Sequence, residues 1–335
     1  MTMRAVLVKD GKGPIEHLHI GETPIPTLKT GEVLVKVKAF GLNRMDVIQR
    51  QGNYPLPPGA SEILGVEFSG TVAKLGEGAT KWKEGDEVFG LVAGGAYAEY
   101  VSAPQTHLIP KPEYLTWVEA ASIPEAFLTA YQALVLVCDL KKDENVLIHA
   151  GASGVGVAAN QIARFFGAKA IVTTASTEDK LSWLRTLGAT HTANYKTTDF
   201  SQVVKDATNG RGVDVVVDFV GKTHWEKNVN SLALDGRMVI LAALSGAVIP
   251  ELNILPLLYK RLRIQGSTLR SRSVAYQTDL IARFSNDLLG HITGEKGDGA
   301  IKSYVHKVYP WTEIQTATRE MEAGANSGKI MVEIV

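Results

Sequence analysis

The chain predicts an α/β protein, a doubly wound parallel sheet joined to a second, strand-rich domain. Three observations predict it. Between Glu144 and Ser267 short apolar strands alternate with helical stretches, the pattern of a parallel sheet covered on both faces. Before about residue 120 and after Leu269 the pattern changes to short strands punctuated by Gly, Pro, Lys and Glu. The alternation opens on a strand (Val146 to His149), a tight glycine turn and a helix from about Val155 to Phe166. In that helix Val157, Ala158, Ile162 and Phe165 share one face.

In the N-terminal region the expected strands are Ala5 to Val8, Glu32 to Ala39, Gly70 to Leu75, Glu87 to Leu91 and Ala96 to Val101. Pro24, Pro26, Pro55, Pro57 and Pro58 mark extended loops. Around Trp117 to Val137 the spacing becomes helical. From there the strands Ala170 to Thr174, His191 to Tyr195, Val213 to Asp218, Arg237 to Ala242 and Arg263 to Ser267 alternate with helices at Glu178 to Leu187, Phe200 to Thr208 and His224 to Ala233. The tail predicts helices at Ser273 to Leu289 and Glu313 to Ala323, and strands at Lys302 to Tyr309 and Lys329 to Val335. It reads as a return to the first domain. The expected division is 1–123, 124–270 and 271–335.

Composition narrows the function classes. The 335 residues are 45% apolar and 21% charged, as in ordinary globular proteins. Lys plus Arg and Asp plus Glu both number 35, so nothing favours a nucleic-acid or membrane partner. Cys138 is the one cysteine, which excludes an intramolecular disulfide framework and a four-cysteine zinc lobe. No apolar run approaches the ~20 residues that span a bilayer, and the N-terminus enters a strand without a signal-peptide core. A cytoplasmic protein is expected.

The turn is the first candidate site. Gly151, Ser153 and Gly156 occupy the three glycine positions of G-x-G-x-x-G, with Gly154 and Val155 completing the helix start. A helix N-terminus offers unpaired N–H groups to a pyrophosphate, and the Ser153 hydroxyl can donate to a phosphate oxygen. An NAD site places Asp or Glu about 20 residues on, at the ribose 2′-hydroxyl. Here the second strand ends Thr173-Thr174-Ala175-Ser176-Thr177 without an acid, with Lys180 one turn further and Tyr195 ending the next strand. Hydroxyls and a cation suit a 2′-phosphate, so NADPH is the expected cofactor, although Glu178 and Asp179 oppose Lys180.

Asp143-Glu144-x-x-Leu147, Gly151-Ala152-Ser153-Gly154-x-Gly156, Gln161 and Arg164 resemble the signature of the quinone oxidoreductase (zeta-crystallin-like) family of medium-chain dehydrogenases/reductases. The likeness runs over the whole chain, through Leu42-Asn43-Arg44-x-Asp46, Arg50-x-Gly52-x-Tyr54-Pro55, Leu64-Gly65-x-Glu67-x-x-Gly70, Gly85-Asp86-x-Val88 and Gly328-Lys329-Ile330. Asn43-Arg44, Pro57-Pro58-Gly59-Ala60-Ser61, His149-Ala150-Gly151 and Ser153 are most similar to the PIG-type NADPH-dependent branch. The resemblance implies a Rossmann domain beside a GroES-like domain, and a homodimer or homotetramer joined through strands near Arg237 to Ala242 and Leu262 to Gly266.

The resemblance also assigns roles. Where zinc-dependent relatives place Cys and His ligands, this chain has Asn43 and Val66, and the third position falls near Glu125; one carboxylate cannot hold zinc. No metal is therefore expected. Without a Lewis acid, hydride delivery to a quinone is easier than alcohol oxidation. Asn43, Asp46 and Tyr54 would line the acceptor site, with Tyr54 positioning the quinone or, alternatively, packing beside Pro55. Thr129 would hold the nicotinamide amide, with Leu244, Ser245, Leu269, Arg270 and Ser271 closing over the ring and Lys329 approaching that end. His149 and Cys138 read as packed core residues. An NADPH-dependent enoyl or alkenal reductase and a non-catalytic NADPH-binding protein are the competing readings.

Overall fold

The computed structural model describes residues 1–335, which form two compact units. Met1–Leu128 and Leu269–Val335 make the first, and Thr129–Thr268 the second. In chain order the first contains β1 (Thr2–Val8), β2 (Leu18–Pro24), β3 (Glu32–Gly41), α1 (Arg44–Arg50), β4 (Glu67–Leu75), β5 (Glu87–Leu91), β6 (Tyr100–Pro104), β7 (Leu108–Pro110) and α2 (Trp117–Ala121). Helix α3 (Pro124–Tyr131) runs through the first boundary, which sequence reasoning set at 123/124. The second unit holds β8 (Asn145–Ile148), α4 (Gly154–Phe165), β9 (Ala170–Ala175), α5 (Glu178–Thr186), β10 (His191–Asn194), α6 (Phe200–Ala207), β11 (Val213–Asp218), α7 (Trp225–Ser231), β12 (Leu232–Ile240), α8 (Leu255–Tyr259) and β13 (Arg263–Gly266). The chain closes on α9 (Val274–Asp287), β14 (Ile292–Thr293), β15 (Ile301–Lys302), β16 (Val305–Pro310), α10 (Ile314–Ala323) and β17 (Lys329–Glu333).

The second unit is a six-stranded parallel sheet in the order β10-β9-β8-β11-β12-β13, the doubly wound Rossmann arrangement. Strands β8, β9 and β11 are buried along their whole length, as a sheet covered on both faces requires. Order reverses between β8 and β11, so the turn after β8 opens at the topological switch point. In the first unit β16-β17-β3-β4-β5-β7 form a mixed sheet, with β6 also paired to β3. Its core includes Phe40, Phe68, Val88, Tyr97, Trp311 and Ile330.

Several elements differ from the sequence expectation. Helix α1 and strands β2 and β7 were not foreseen, and the strand expected at Ala96 to Val101 lies at Tyr100–Pro104. Residues Trp117 to Val137 make no single helix. Pro124 cannot continue α2 and instead begins α3, which ends in a π-helical turn over Gln132–Val137. Helix α1 is too short for periodicity to show, and its signal is the capping box: Asp46 accepts from the Asn43 backbone N–H at 2.8 Å. No helix is long and apolar enough to cross a membrane.

One side chain ties the start of the parallel sheet together. The buried Arg237 guanidinium donates to both Glu144 carboxylate oxygens (2.8 and 2.7 Å) and to the carbonyls of Cys138 (2.8 Å) and Asp139 (3.0 Å). It thereby fastens β12 to the turn that leads into β8. Arg237→Leu strands the Glu144 carboxylate and is expected to destabilise the nucleotide unit by about 3 kcal/mol. A urea transition of that unit unchanged in midpoint would show the clamp to be dispensable.

Candidate functional site

The turn after β8 is shaped by close approach. A Cβ on Gly156 would lie 2.3 Å from the Ala150 carbonyl oxygen, and one on Gly151 2.7 Å from Thr173 Cγ2. Ala150 itself takes a left-handed conformation, φ 46°, that glycine would adopt without cost. Ser153 is the N-cap of α4: its Oγ accepts from the Gly156 N–H at 3.1 Å. The hydroxyl therefore serves the helix as an acceptor, while its own proton is left to donate. The Gly154 and Val155 N–H groups have no acceptor within the protein, which is the donor pair a pyrophosphate oxygen takes at a helix start. A second orphan fits a nicotinamide amide: Thr129 Oγ1 on α3 is buried without a partner.

Beside this turn the nucleotide unit contains a pocket of about 550 Å³. Of the expected residues, Tyr195, Leu244 and Ser245 line it; Ser176 and Lys180 lie outside its lining. Ser245 holds the loop after β12 against that after β11, donating to the Val220 carbonyl (2.7 Å) and accepting from the Thr223 N–H (3.0 Å). Among the contributors not anticipated are Thr198, Phe200, His224 and Lys227. They come from two separate loop–helix joints, and no sequence motif links them. Below them His149 is fully buried between Thr174 Oγ1 (3.0 Å) and Asn228 Oδ1 (2.7 Å), and burial pushes its imidazole down to about 3. It is a neutral packed ring, as is Cys138 a buried thiol pushed up to about 12 by burial. At the ends of β9 and β10, Lys180 is lowered by burial and then by the Lys196 ammonium, so two cations stand within electrostatic reach of each other. Glu178 is engaged by Arg185 at 3.0 Å, which reduces its opposition to them.

In the first unit Asn43, Asp46, Tyr54, Arg270 and Lys329 join one polar cluster, together with Glu67, Tyr97 and Glu125. Lys329 does not extend outward. Its ammonium is occupied by Glu67 (2.5 Å), Asn43 Oδ1 (2.7 Å) and the Leu42 carbonyl (2.8 Å). Glu67, wholly buried, also accepts from Asn43 Nδ2 (2.9 Å) and the Glu125 N–H (2.8 Å). Asp46 accepts from the Asn43 N–H, the Tyr97 hydroxyl (2.9 Å) and the Gly65 N–H (3.3 Å), yet burial raises its carboxyl to about 6. Arg270 donates to the Ala93 carbonyl (2.7 Å) and Gln49 Oε1 (2.8 Å) and lies 5.3 Å over the Tyr54 ring. Leu269 is buried, its carbonyl held by Gln277 at 2.9 Å, whereas Ser271 is exposed. Tyr54 is half-buried, and burial raises its phenol.

This donor set does not suit a metal ion. Lys329 places an ammonium on the Glu67 carboxylate and the Asn43 amide oxygen, the oxygen ligands a cation would otherwise take there. No three His, Cys, Asp or Glu side chains come together in a metal-binding group.

Residues 29–113 match the alcohol dehydrogenase GroES-like domain, and residues 154–286 the family described as zinc-binding dehydrogenase. Human quinone oxidoreductase is 32% identical over 270 residues, covering 80% of this chain and 81% of that protein. A zebrafish (Danio rerio) synaptic vesicle membrane protein VAT-1 homolog is 30% identical over 320 residues; they cover 92% of this chain but only 65% of the relative's length. A mycobacterial protein solved in complex with NADPH superposes with a TM-score of 0.86 at 30% identity, covering 99% of this chain and all of that one. The CurK enoyl reductase superposes with a TM-score of 0.85 at 30% identity, covering 100% and 99%. The nucleotide turn, the two folds and these likenesses agree: the chain belongs to the quinone oxidoreductase family of the medium-chain dehydrogenase/reductase superfamily and is an oxidoreductase of the nicotinamide-dependent kind.

Proposed function

We propose that this chain is a zinc-independent, NADPH-dependent quinone oxidoreductase. The observation that carries the reading is the Lys329 ammonium on Glu67 and Asn43: Asn43, which by the resemblance stands at a zinc-ligand position, is drawn into an internal ion pair instead. Bound NADPH supplies the hydride. The chain's own groups bind and orient. Gly154 and Val155 N–H with Ser153 hold the pyrophosphate, Thr129 Oγ1 the carboxamide, and Ser176, Lys180 and Lys196 receive the 2′-phosphate, with Tyr195 beside them. Tyr54, beneath the Arg270 guanidinium, positions the acceptor, and that cation favours the negative charge that develops on its oxygen. The likeness to an enoyl reductase supports the second reading, reduction of a carbon–carbon double bond conjugated to a carbonyl.

A homo-oligomer is part of the proposal. Strand β12 is paired on both sides, so it is not available to a second copy; β13 is the open edge. Next to it Ile254, Leu258 and Tyr259 are 62%, 69% and 71% exposed, an apolar surface suited to a second copy.

Stopped-flow absorbance should show NADPH oxidation by ortho- or para-quinones, and a roughly tenfold preference for a 2-alkenal in kcat/KM would reverse the order of the two readings. Lys180→Ala is expected to weaken NADPH about tenfold while leaving NADH unchanged, the loss of one charge-assisted phosphate contact. Equal effects on both nucleotides would remove the 2′-phosphate assignment. Light scattering should give a multiple of 36.1 kDa, and Leu258→Asp with Tyr259→Asp should lower it; a wild-type species of 36.1 kDa would exclude the oligomer.

A further inference from the structure

The turn from α10 into β17 delivers Lys329, and one histidine closes that turn. Where β16 runs beside β17, Val305 lies opposite Lys329 and Lys307 opposite Ile330, so His306 is the extra residue of a β-bulge. Its Nδ1 accepts from the Ser327 N–H at 3.3 Å, and its Nε2 lies 2.7 Å from Glu320 Oε1 on α10. Tyr309, which donates to the other carboxylate oxygen, and then His306 hold the Glu320 carboxyl below its ordinary range, so it is ionised and only accepts. A backbone N–H only donates. The imidazole between them is therefore the neutral tautomer with its proton on Nε2. The rest of the turn is tightly specified. Asn326 Nδ2 donates to the Gly328 carbonyl (2.7 Å) and the Lys329 N–H to the Tyr304 carbonyl (3.0 Å). Gly328 sits at φ 86°, where a Cβ would stand 2.6 Å from that Tyr304 oxygen.

We propose that His306 is a positioning residue with two states, a pH-sensitive latch on the turn that brings Lys329 to Glu67 and Asn43. Neutral, the ring closes the turn by accepting the Ser327 N–H. A second proton, taken up from water at Nδ1, sets a donor against a donor, and the Ser327 bond is lost. The imidazolium stays on Glu320 as an ion pair, so one hydrogen bond is exchanged for one charge pair while α10 and β16 keep their places. The His306 and Glu320 side chains are 27% and 20% exposed, which gives water access to the ring. Of the charges on the elements packed here, Glu320 favours the cation and Lys307, next along β16, opposes it. Lys307 lies 4.4 Å over the Tyr309 ring and is itself held by Tyr309, Glu320 and Glu313, and Lys329 on β17 is paired with Glu67.

Hydrogen–deuterium exchange of the full chain, read by mass spectrometry over residues 324–330 and corrected for the intrinsic pH dependence of exchange, tests the latch. The ring Hε1 resonance of His306, assigned by its loss in His306→Gln, reports the protonation state on the same samples. Wild type should lose about tenfold in protection of this segment as the ring takes its second proton, in step with that resonance, while peptides from β8 hold steady. His306→Gln keeps an acceptor for Ser327 and a donor for Glu320 but takes no charge, so its turn should stay protected at every pH. His306→Leu keeps neither group and should exchange as the open turn throughout. Wild-type protection that does not follow the ring would overturn the latch, as would a Gln variant that responds to pH as wild type does. The readout involves no acceptor, so it stands or falls apart from the quinone reading.

Discussion

The Lys329–Glu67 ion pair is the contact on which the first unit depends. It joins β17, the last strand of the chain, to β4, and through Asn43 and the Glu125 N–H it anchors the starts of α1 and α3. Neither partner is solvated, so loss of either leaves the other's charge buried without its nearest counter-ion. The surrounding backbone is built to admit it. Gly41 carries no side chain where a Cβ would stand 2.3 Å from Glu67 Oε1. A structural pair of this kind also sets the potential for every titratable group near it. Asp46 stays hydrogen-bonded to three donors, and Glu125 stays neutral.

The nucleotide unit depends on a different constraint, the distance between the turn after β8 and the start of α4. Only glycine at 151 and 156 permits the observed separation, and Ala150 accepts an unfavourable φ to complete the turn. Ser153, at the middle glycine position of the motif, does not widen the turn. It caps the helix, satisfying one N–H and leaving those of Gly154 and Val155 for an anion. The serine thus trades some backbone proximity for a better-defined helix start.

These two constraints explain how one frame serves relatives with different acceptors. The turn and the parallel sheet fix the nucleotide and are indifferent to what receives the hydride. In the proposed function, discrimination falls to groups such as Tyr54 and Arg270, whose arrangement is set by a few local contacts.

What was legible in the sequence is what depends on short-range pattern. The strand–helix alternation, the parallel sheet, the nucleotide turn and the absence of an acid at the end of β9 all follow from residues near one another in the chain. The loops and short elements were harder: α1 is one capping box and seven residues, and β2 and β7 lack alternation. The charge balance was not legible at all. Lys329, Glu67, Asn43, Asp46, Arg270 and Glu125 look like unrelated polar residues until the mixed sheet, α1 and α3 bring them together. Burial then gives each group a charge state that its type alone does not specify. The amino-acid sequence determined the dinucleotide-binding turn, because it resides in a local motif. Only the tertiary structure decided that Lys329 is an internal counter-ion and that Glu125 is buried beside Glu67, because desolvation and ion pairing are properties of the assembled core.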